Sequence, residues 1–310
     1  MYLVMNTTNM VILFLITFVV TVLSTFFIRH VLIDADISDS PIVSEHRHKT
    51  GTPTMGGISF LFAILFVVSL FYKNLPILIT SFIMVTGGVM GLLDDLLGLK
   101  VKEYQKVVKN ISPDIVQIGI LNLGVSEEAR ITTDKAKKQL EPLLAAGKLE
   151  QVAEIPIKYE PHESVKIIAQ FLPGIFLVLT STVWTLGGFN LGLLAIPIVI
   201  IAVLGCINAV NLIDGMDGLA AGIIAIASFA CGIFCFINGN MEGIAPFAIL
   251  FAICLGFLVF NKYPAKIFMG DTGSFILGSG FAAAVLITSC TYNNITCRTI
   301  TSCIKLSGNK

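Results

Sequence analysis

Apolar positions come in long unbroken runs along this chain, not in short alternations. Eight runs stand out, at 10–28, 57–72, 75–93, 167–184, 191–207, 218–238, 244–260 and 274–290. A helix needs about 20 apolar residues to cross a bilayer, and a helix satisfies its own backbone in lipid. Each run therefore predicts a transmembrane helix, the 57–72 run with help from its flanks. Between the third and fourth runs the pattern changes. Residues 101–165 hold ten acids and nine bases and no spanning run. Within them, 133–147 (TDKAKKQLEPLLAAG) has the period of an amphipathic helix that Gly147 ends, while 114–122 and 153–159 alternate like strands. The expected fold is an all-α polytopic transmembrane bundle of about eight spans carrying a small soluble α+β insert. The expected organisation is spans one to three in 1–100, the insert in 101–165, spans four to eight in 166–290, and a polar, disordered tail in 291–310.

Composition sharpens this picture. Apolar residues make up 55% of the 310 and charged residues 13%, with mean hydropathy +0.88. A soluble chain carries about 25% charged residues, so a soluble enzyme or a disordered protein is excluded. The formal charge is zero, which leaves no basic field for nucleic acid. The seven cysteines include no C-x-x-C pair; they read as small apolar fillers. No Lys or Arg precedes the first run, so it reads as a retained anchor, not a signal peptide.

Charge also gives an orientation. Counting spans puts 29–56, 94–166, 208–217 and 261–273 on one side, with 16 of the 20 Lys and Arg. The positive-inside rule makes that side cytoplasmic. The acids follow the same division: of the ten outside 101–165, all but Glu242 fall there. Asp94, Asp95, Asp214, Asp217 and Asp271 lie at or near span ends. Carboxylates at the apolar boundary are costly, and five converging from three segments call for a cation, a proton path or a phosphate-plus-metal site.

Four motifs carry candidate chemistry. Lys49-Thr-Gly-Thr-Pro-Thr54-Met-Gly-Gly57 offers glycines, hydroxyls and a cation that suit a phosphate or a base; the plainer reading is a flexible turn. Asp94-Asp95 ends the third run. Adjacent carboxylates repel unless a cation is present, and on a helix they point about 100° apart, so one can hold metal while the other handles a proton. In Asn208-Ala-Val-Asn211-Leu-Ile-Asp214-Gly-Met-Asp217-Gly, a helical turn puts Asn211, Asp214 and Asp217 on one side; the spacing is not that of an EF-hand. Asn261-Lys-Tyr-Pro-Ala-Lys-Ile-Phe268-Met-Gly-Asp271-Thr-Gly-Ser274 opens the eighth run, where free helix amides suit an anion and Asp271 a metal; the plainer reading is an N-cap. His30, His46, His48 and His162 read as solvated loop residues, and Trp184 as an interface anchor.

Together the four motifs resemble those of the polyprenyl-phosphate N-acetylhexosamine-1-phosphate transferase superfamily (glycosyltransferase family 4), and within it the phospho-N-acetylmuramoyl-pentapeptide transferase branch. The resemblance covers about 1–100 and 166–290. It implies a cell-membrane enzyme with its active site on the cytoplasmic face. A polyprenyl phosphate oxygen attacks the β-phosphorus of a UDP-linked amino sugar, and UMP leaves. Mg2+ is the implied cofactor, with Asp271 as its ligand and Asp214 as a second candidate. Asp94 or Asp95 is implied at the lipid phosphate, one of them as base. Lys49, Thr54, Asn208, Asn211, Asp214, Asp217, Asn261, Phe268 and Ser274 are implied in substrate binding, Phe268 by stacking on uracil. Lys166, in Lys-Ile-Ile-Ala-Gln170, matches the family's lysine at the start of the fourth span. A UDP-amino-sugar donor, a polyprenyl phosphate acceptor and a homodimer are the implied partners.

The sequence also departs from that pattern. Asp95 is followed by Leu-Leu-Gly-Leu, and Lys100 comes later than the family's lysine. The 101–165 insert is long. The family continues for two more spans around a His-rich loop, whereas no His follows His162 here, so a shortened chain is expected. Three alternatives accompany this reading: a UDP-N-acetylglucosamine-1-phosphate transferase for another glycan, a truncated inactive homologue acting as a scaffold, and an ion-coupled transporter. The transporter predicts midplane acids and internal repeats, neither of which the sequence shows.

Overall fold

The computed structural model describes residues 6–38, 51–99, 101–119, 121–131, 134–158, 163–180, 185–186 and 189–291. Lys49, His46, His48, His162, Trp184 and the tail beyond 291 lie outside them. The chain divides into two compact units, one formed by 1–95 with 162–310, the other by 96–161.

The larger unit is a helix bundle. Its helices are α1 (Thr7–Asp34), α2 (Ile58–Phe71) and α3 (Leu75–Gly98), then, after the smaller unit, α5 (Glu163–Thr180), α6 (Ala195–Ile213), α7 (Leu219–Ile237), α8 (Met241–Asn261) and α9 (Gly270–Thr291). Among the described residues, six helices are long and apolar enough to cross a membrane, and α2 and α5 are shorter apolar helices. The eight apolar runs thus correspond to eight helices. Large apolar side chains cover the outside, among them Leu23, Phe27, Ile201 and Ile226, each more than 60% exposed. Such a surface is matched to lipid, not to water, and the chain is a multipass membrane protein. His30, expected in a loop, lies in the last turns of α1, with Nδ1 2.8 Å from the Phe26 carbonyl.

Small residues set the packing, as they do where helices meet within lipid. The apolar stretch of α9 is 72% buried inside the bundle, against 28% for α1 and for α6, so α9 is the central helix. A Cβ on Gly278 of α9 would lie 2.6 Å from the Ile207 Cα of α6, and one on Gly280 would lie 2.5 Å from Met84 of α3. On α1, buried Thr17 and Thr21 return their hydroxyls to their own helix, while Thr25 donates to Ser59 of α2 at 2.9 Å.

The smaller unit is α+β. Strand β1 (Val101–Asn110) lies between β4 (Glu128–Arg130) and β5 (Leu149–Lys158), antiparallel to both. A hairpin of β2 (Val116–Ile118) and β3 (Leu121–Leu123) and the helix α4 (Asp134–Ala145) complete it. Val108, Ile118, Ile131, Leu140 and Leu149 form its core. The expected end of α4 at Gly147 has a physical form: Gly147 has φ +68. Its N–H reaches the Leu144 carbonyl and that of Lys148 the Leu143 carbonyl, the paired bonds of a Schellman ending. The strands expected at 114–122 and 153–159 fall on β2–β3 and β5; β1 and β4 add to them.

Candidate active site

The described candidate residues gather at one end of the bundle. The C-terminal ends of α3, α6 and α8 meet the N-terminal ends of α5, α7 and α9 there, together with the loop before α2. This follows from the alternating direction of successive spans, and side-chain bonds tie the ends together.

Asp94, on α3, is buried. Its Oδ2 lies 2.9 Å from Lys166 Nζ of α5. One turn on, buried Gln170 accepts from Asn208 Nδ2 of α6 at 2.6 Å. Asn211, one turn beyond Asn208, donates to Asp271 Oδ1 at 2.6 Å and to Ser274 Oγ at 3.0 Å. The carboxyls of Asp94 and Asp271 neighbour each other. Asp95, by contrast, turns to the first turn of α9. It accepts from Asp271 N at 3.0 Å, Thr272 N at 2.9 Å and Thr272 Oγ1 at 2.5 Å. The helix amides that the sequence offered to an anion are thus capped from within the protein.

The glycine loop before α2 has a similar outcome. Gly56 N donates to the Phe268 carbonyl and Gly57 N to that of Met269, both at 2.8 Å, while Phe268 N donates to the Pro53 carbonyl. Two motifs therefore pair edge to edge through their backbones. Gly57 is a packing glycine: a Cβ there would overlap the Gly273 backbone. Thr54 is half-buried in this pairing, beside Met55, which takes φ +74, an uncommon conformation for a side chain of that size. Phe268 is half-buried.

Asn261 and Asp217 serve as staples. Asn261, buried at the end of α8, accepts from Gly218 N at 3.1 Å and donates to the Ile267 carbonyl at 2.9 Å. Asp217 Oδ2 accepts from Ala265 N at 2.9 Å. These bonds fix the loop carrying Phe268 and Asp271 to the start of α7. Asp214 caps the end of α6, half-buried.

Three carboxylates, Asp94, Asp95 and Asp271, share this corner with the cation of Lys166. Like charges so placed repel unless a cation or proton intervenes. Among the described residues no group of three His, Cys, Asp or Glu forms a ready metal cage. A hard ion such as Mg2+ takes one or two carboxylates and completes its shell with water and substrate phosphate. Asp271 and Asp94 are the oxygen donors that fit; both oxygens of Asp95 already accept bonds. The sequence reading gave Gly91 and Gln170 no role of their own, and Thr272 only that of a helix cap. Gln170 had a signal, as a polar residue opening an apolar run one turn after Lys166.

Comparison with known proteins gives the family. The profile of glycosyl transferase family 4 matches residues 143–289. A relative from Methanothermobacter thermautotrophicus, which bears the provisional name phospho-N-acetylmuramoyl-pentapeptide-transferase, is 54% identical over 90% of this chain and 80% of its own length. The phospho-N-acetylmuramoyl-pentapeptide-transferases of Citrifermentans bemidjiense and Halalkalibacterium halodurans are 32% and 29% identical, over 81% and 90% of this chain. The chain spans 63% and 74% of their lengths. The molecule is therefore of the membrane transferase class. The chain belongs to glycosyl transferase family 4.

Proposed function

We propose that this protein transfers a phospho-N-acetyl-amino-sugar, of the phospho-muramoyl-peptide kind, from a UDP-sugar to polyprenyl phosphate on the cytoplasmic face of the membrane. An oxygen of the polyprenyl phosphate forms a bond to the β-phosphorus of the donor. The bond from that phosphorus to the bridging oxygen breaks, and UMP leaves with the electron pair. The products are a lipid pyrophosphate sugar and UMP.

The observation that carries this reading is the meeting of Asp94, Lys166, Asn211 and Asp271 at one end of a lipid-matched bundle. An acceptor whose phosphate lies at the membrane surface and a soluble donor can both reach such a place. Asp271 would hold Mg2+, which when bound offsets the charge of the pyrophosphate. Asn211 orients the Asp271 carboxylate. Lys166, a quarter exposed, neutralises Asp94 at rest and is placed to meet phosphate oxygens. Asp94 is the candidate to keep the acceptor phosphate deprotonated. Thr54, Asn208, Asp214 and Phe268 frame the donor side, with the Phe268 ring for the base, and Asn261 and Asp217 fix their loop. Asp271, not Asp214, is the metal ligand in this account, because Asn211 and Asp94 converge on it. The names of the relatives favour a UDP-muramoyl-peptide donor.

The test is UMP release from purified protein in detergent with undecaprenyl phosphate, Mg2+, and UDP-N-acetylmuramoyl-pentapeptide or UDP-N-acetylglucosamine. Release that needs both lipid and metal, faster with the muramoyl donor, is expected. Release without lipid, or none with either sugar from folded protein, contradicts the proposal.

A further inference from the structure

The geometry points to Asp95 as a positioning residue that holds the backbone of Asp271 through the first turn of α9. It does not meet a substrate. This inference rests on the transferase reading for its consequence, although not for its geometry.

Three donors converge on the Asp95 carboxylate: the N–H groups of Asp271 and Thr272 and the Thr272 hydroxyl. They satisfy N–H groups that have no partner inside α9. An Asp, Asn or Ser normally does this from its own helix; here the cap comes from α3, 176 positions earlier in the chain than Asp271. Two glycines make the approach possible. Gly270 has φ +69, and a Cβ there would stand 2.9 Å from Asp95 Oδ2. Gly91 lies one turn before Asp95 on the same face of α3, and a Cβ there would overlap the Asp271 carbonyl. Gly91 lets the two helices touch and Asp95 locks them.

The two adjacent carboxylates thus divide their work. Asp94 faces Lys166 and the Asp271 side chain; Asp95 is spent on the Asp271 and Thr272 backbone. Asp271 is held twice, its side chain by Asn211 and its main chain by Asp95. A metal ligand fixed from two sides changes little on loading, and a displacement of about 1 Å at such a group slows catalysis about 100-fold.

The test uses the full chain in detergent, with Asp95→Asn, Thr272→Val and the double variant. Mn2+ binding without substrates is followed by electron paramagnetic resonance, with kcat, donor KM and Tm measured alongside. Asparagine still caps a helix but cannot act as a base. Asp95→Asn is expected to keep turnover, with kcat down about 10- to 100-fold, donor KM within about 3-fold, and Mn2+ binding weakened in step. Thr272→Val is expected to show smaller losses of the same kind, and the double variant to match Asp95→Asn within about 2-fold, the non-additivity of one shared contact. Asp95→Asn at background turnover, with wild-type Mn2+ affinity and an unaffected Thr272→Val, overturns the proposal. If Asp95→Asn does not fold, Thr272→Val alone decides: wild-type Mn2+ affinity and kcat overturn it. Should wild type bind Mn2+ with this order of variants yet release no UMP, the positioning role stands and the transferase reading falls.

Discussion

The side-chain amide of Asn211 reaches both Asp271 Oδ1, at 2.6 Å, and Ser274 Oγ, at 3.0 Å. It thereby fixes the carboxylate on α9 from a residue on α6. A hydrogen bond to a charged group contributes about 1.5–3 kcal/mol. Asn211→Ala is expected to lower kcat about 10- to 100-fold, to raise the Mg2+ concentration for half-maximal rate, and to lower the Tm modestly. A Mg2+ titration at saturating donor and acceptor checks this; an unaltered titration removes Asn211 from the metal side of the account.

Lys166 lies 2.9 Å from a carboxylate that is itself only 7% exposed. Lys166→Met leaves that charge buried without its cation. Losing one partner of a fully buried pair costs about 3–5 kcal/mol; a quarter-exposed Lys166 brings the expectation to about 1–3 kcal/mol. The Tm should fall, and adding Asp94→Asn should recover most of it while leaving UMP release at background. A double variant no more stable than Lys166→Met would show that the pair is not what stabilises this corner.

Much of this was legible in the sequence, for identifiable reasons. Lipid forces spans to be long and apolar, so all eight helices announced themselves. Their polar ends, Asp94-Asp95, Asn208 to Asp217 and Asn261 to Ser274, stood out against that background. The division of labour between Asp94 and Asp95 did not, because it depends on partners 72 positions away at Lys166 and 177 away at Thr272. Nor did the work of Gly57, which looked like a phosphate loop and proves to be where two backbones touch. Strand β1 escaped because VKEYQKVVKN is mostly polar, and its pairing with β5, from Asn110 to Leu149, spans about forty residues of other structure.

Gly57 has helical dihedrals, φ −57, so an alanine there meets no conformational penalty and only a steric one against Gly273. Gly57→Ala is expected to lower stability by about 1–3 kcal/mol. Gly222→Ala, in α7 with open space around its Cβ, is expected to be neutral or stabilising by up to about 1 kcal/mol. Paired Tm measurements in one detergent check the contrast; equal shifts would mean that the two motifs do not pack as described.

In the smaller unit, buried Asn110 donates to the carbonyls of Asp114, Leu123 and Gly124 and accepts from Ser112 N. It holds the hairpin connection together. Asn110→Ala strips these bonds at a loss of about 2–3 kcal/mol. Limited proteolysis should then cut within 111–131 at least about 10-fold faster than in wild type. Equal cutting rates would assign the stability of this unit to its apolar core alone.

The most direct test of the central claim is the lipid product itself. Wild type and Asp271→Asn, purified in parallel and shown to be folded by equal Tm, are incubated with undecaprenyl phosphate, Mg2+ and UDP-N-acetylmuramoyl-pentapeptide. The lipid fraction is then read by mass spectrometry. Wild type is expected to give an undecaprenyl pyrophosphate sugar, one UMP for each, and Asp271→Asn at least about 100-fold less, the scale of a removed electrostatic group. No lipid-linked sugar from folded wild type, or the same amount from both proteins, would contradict that claim.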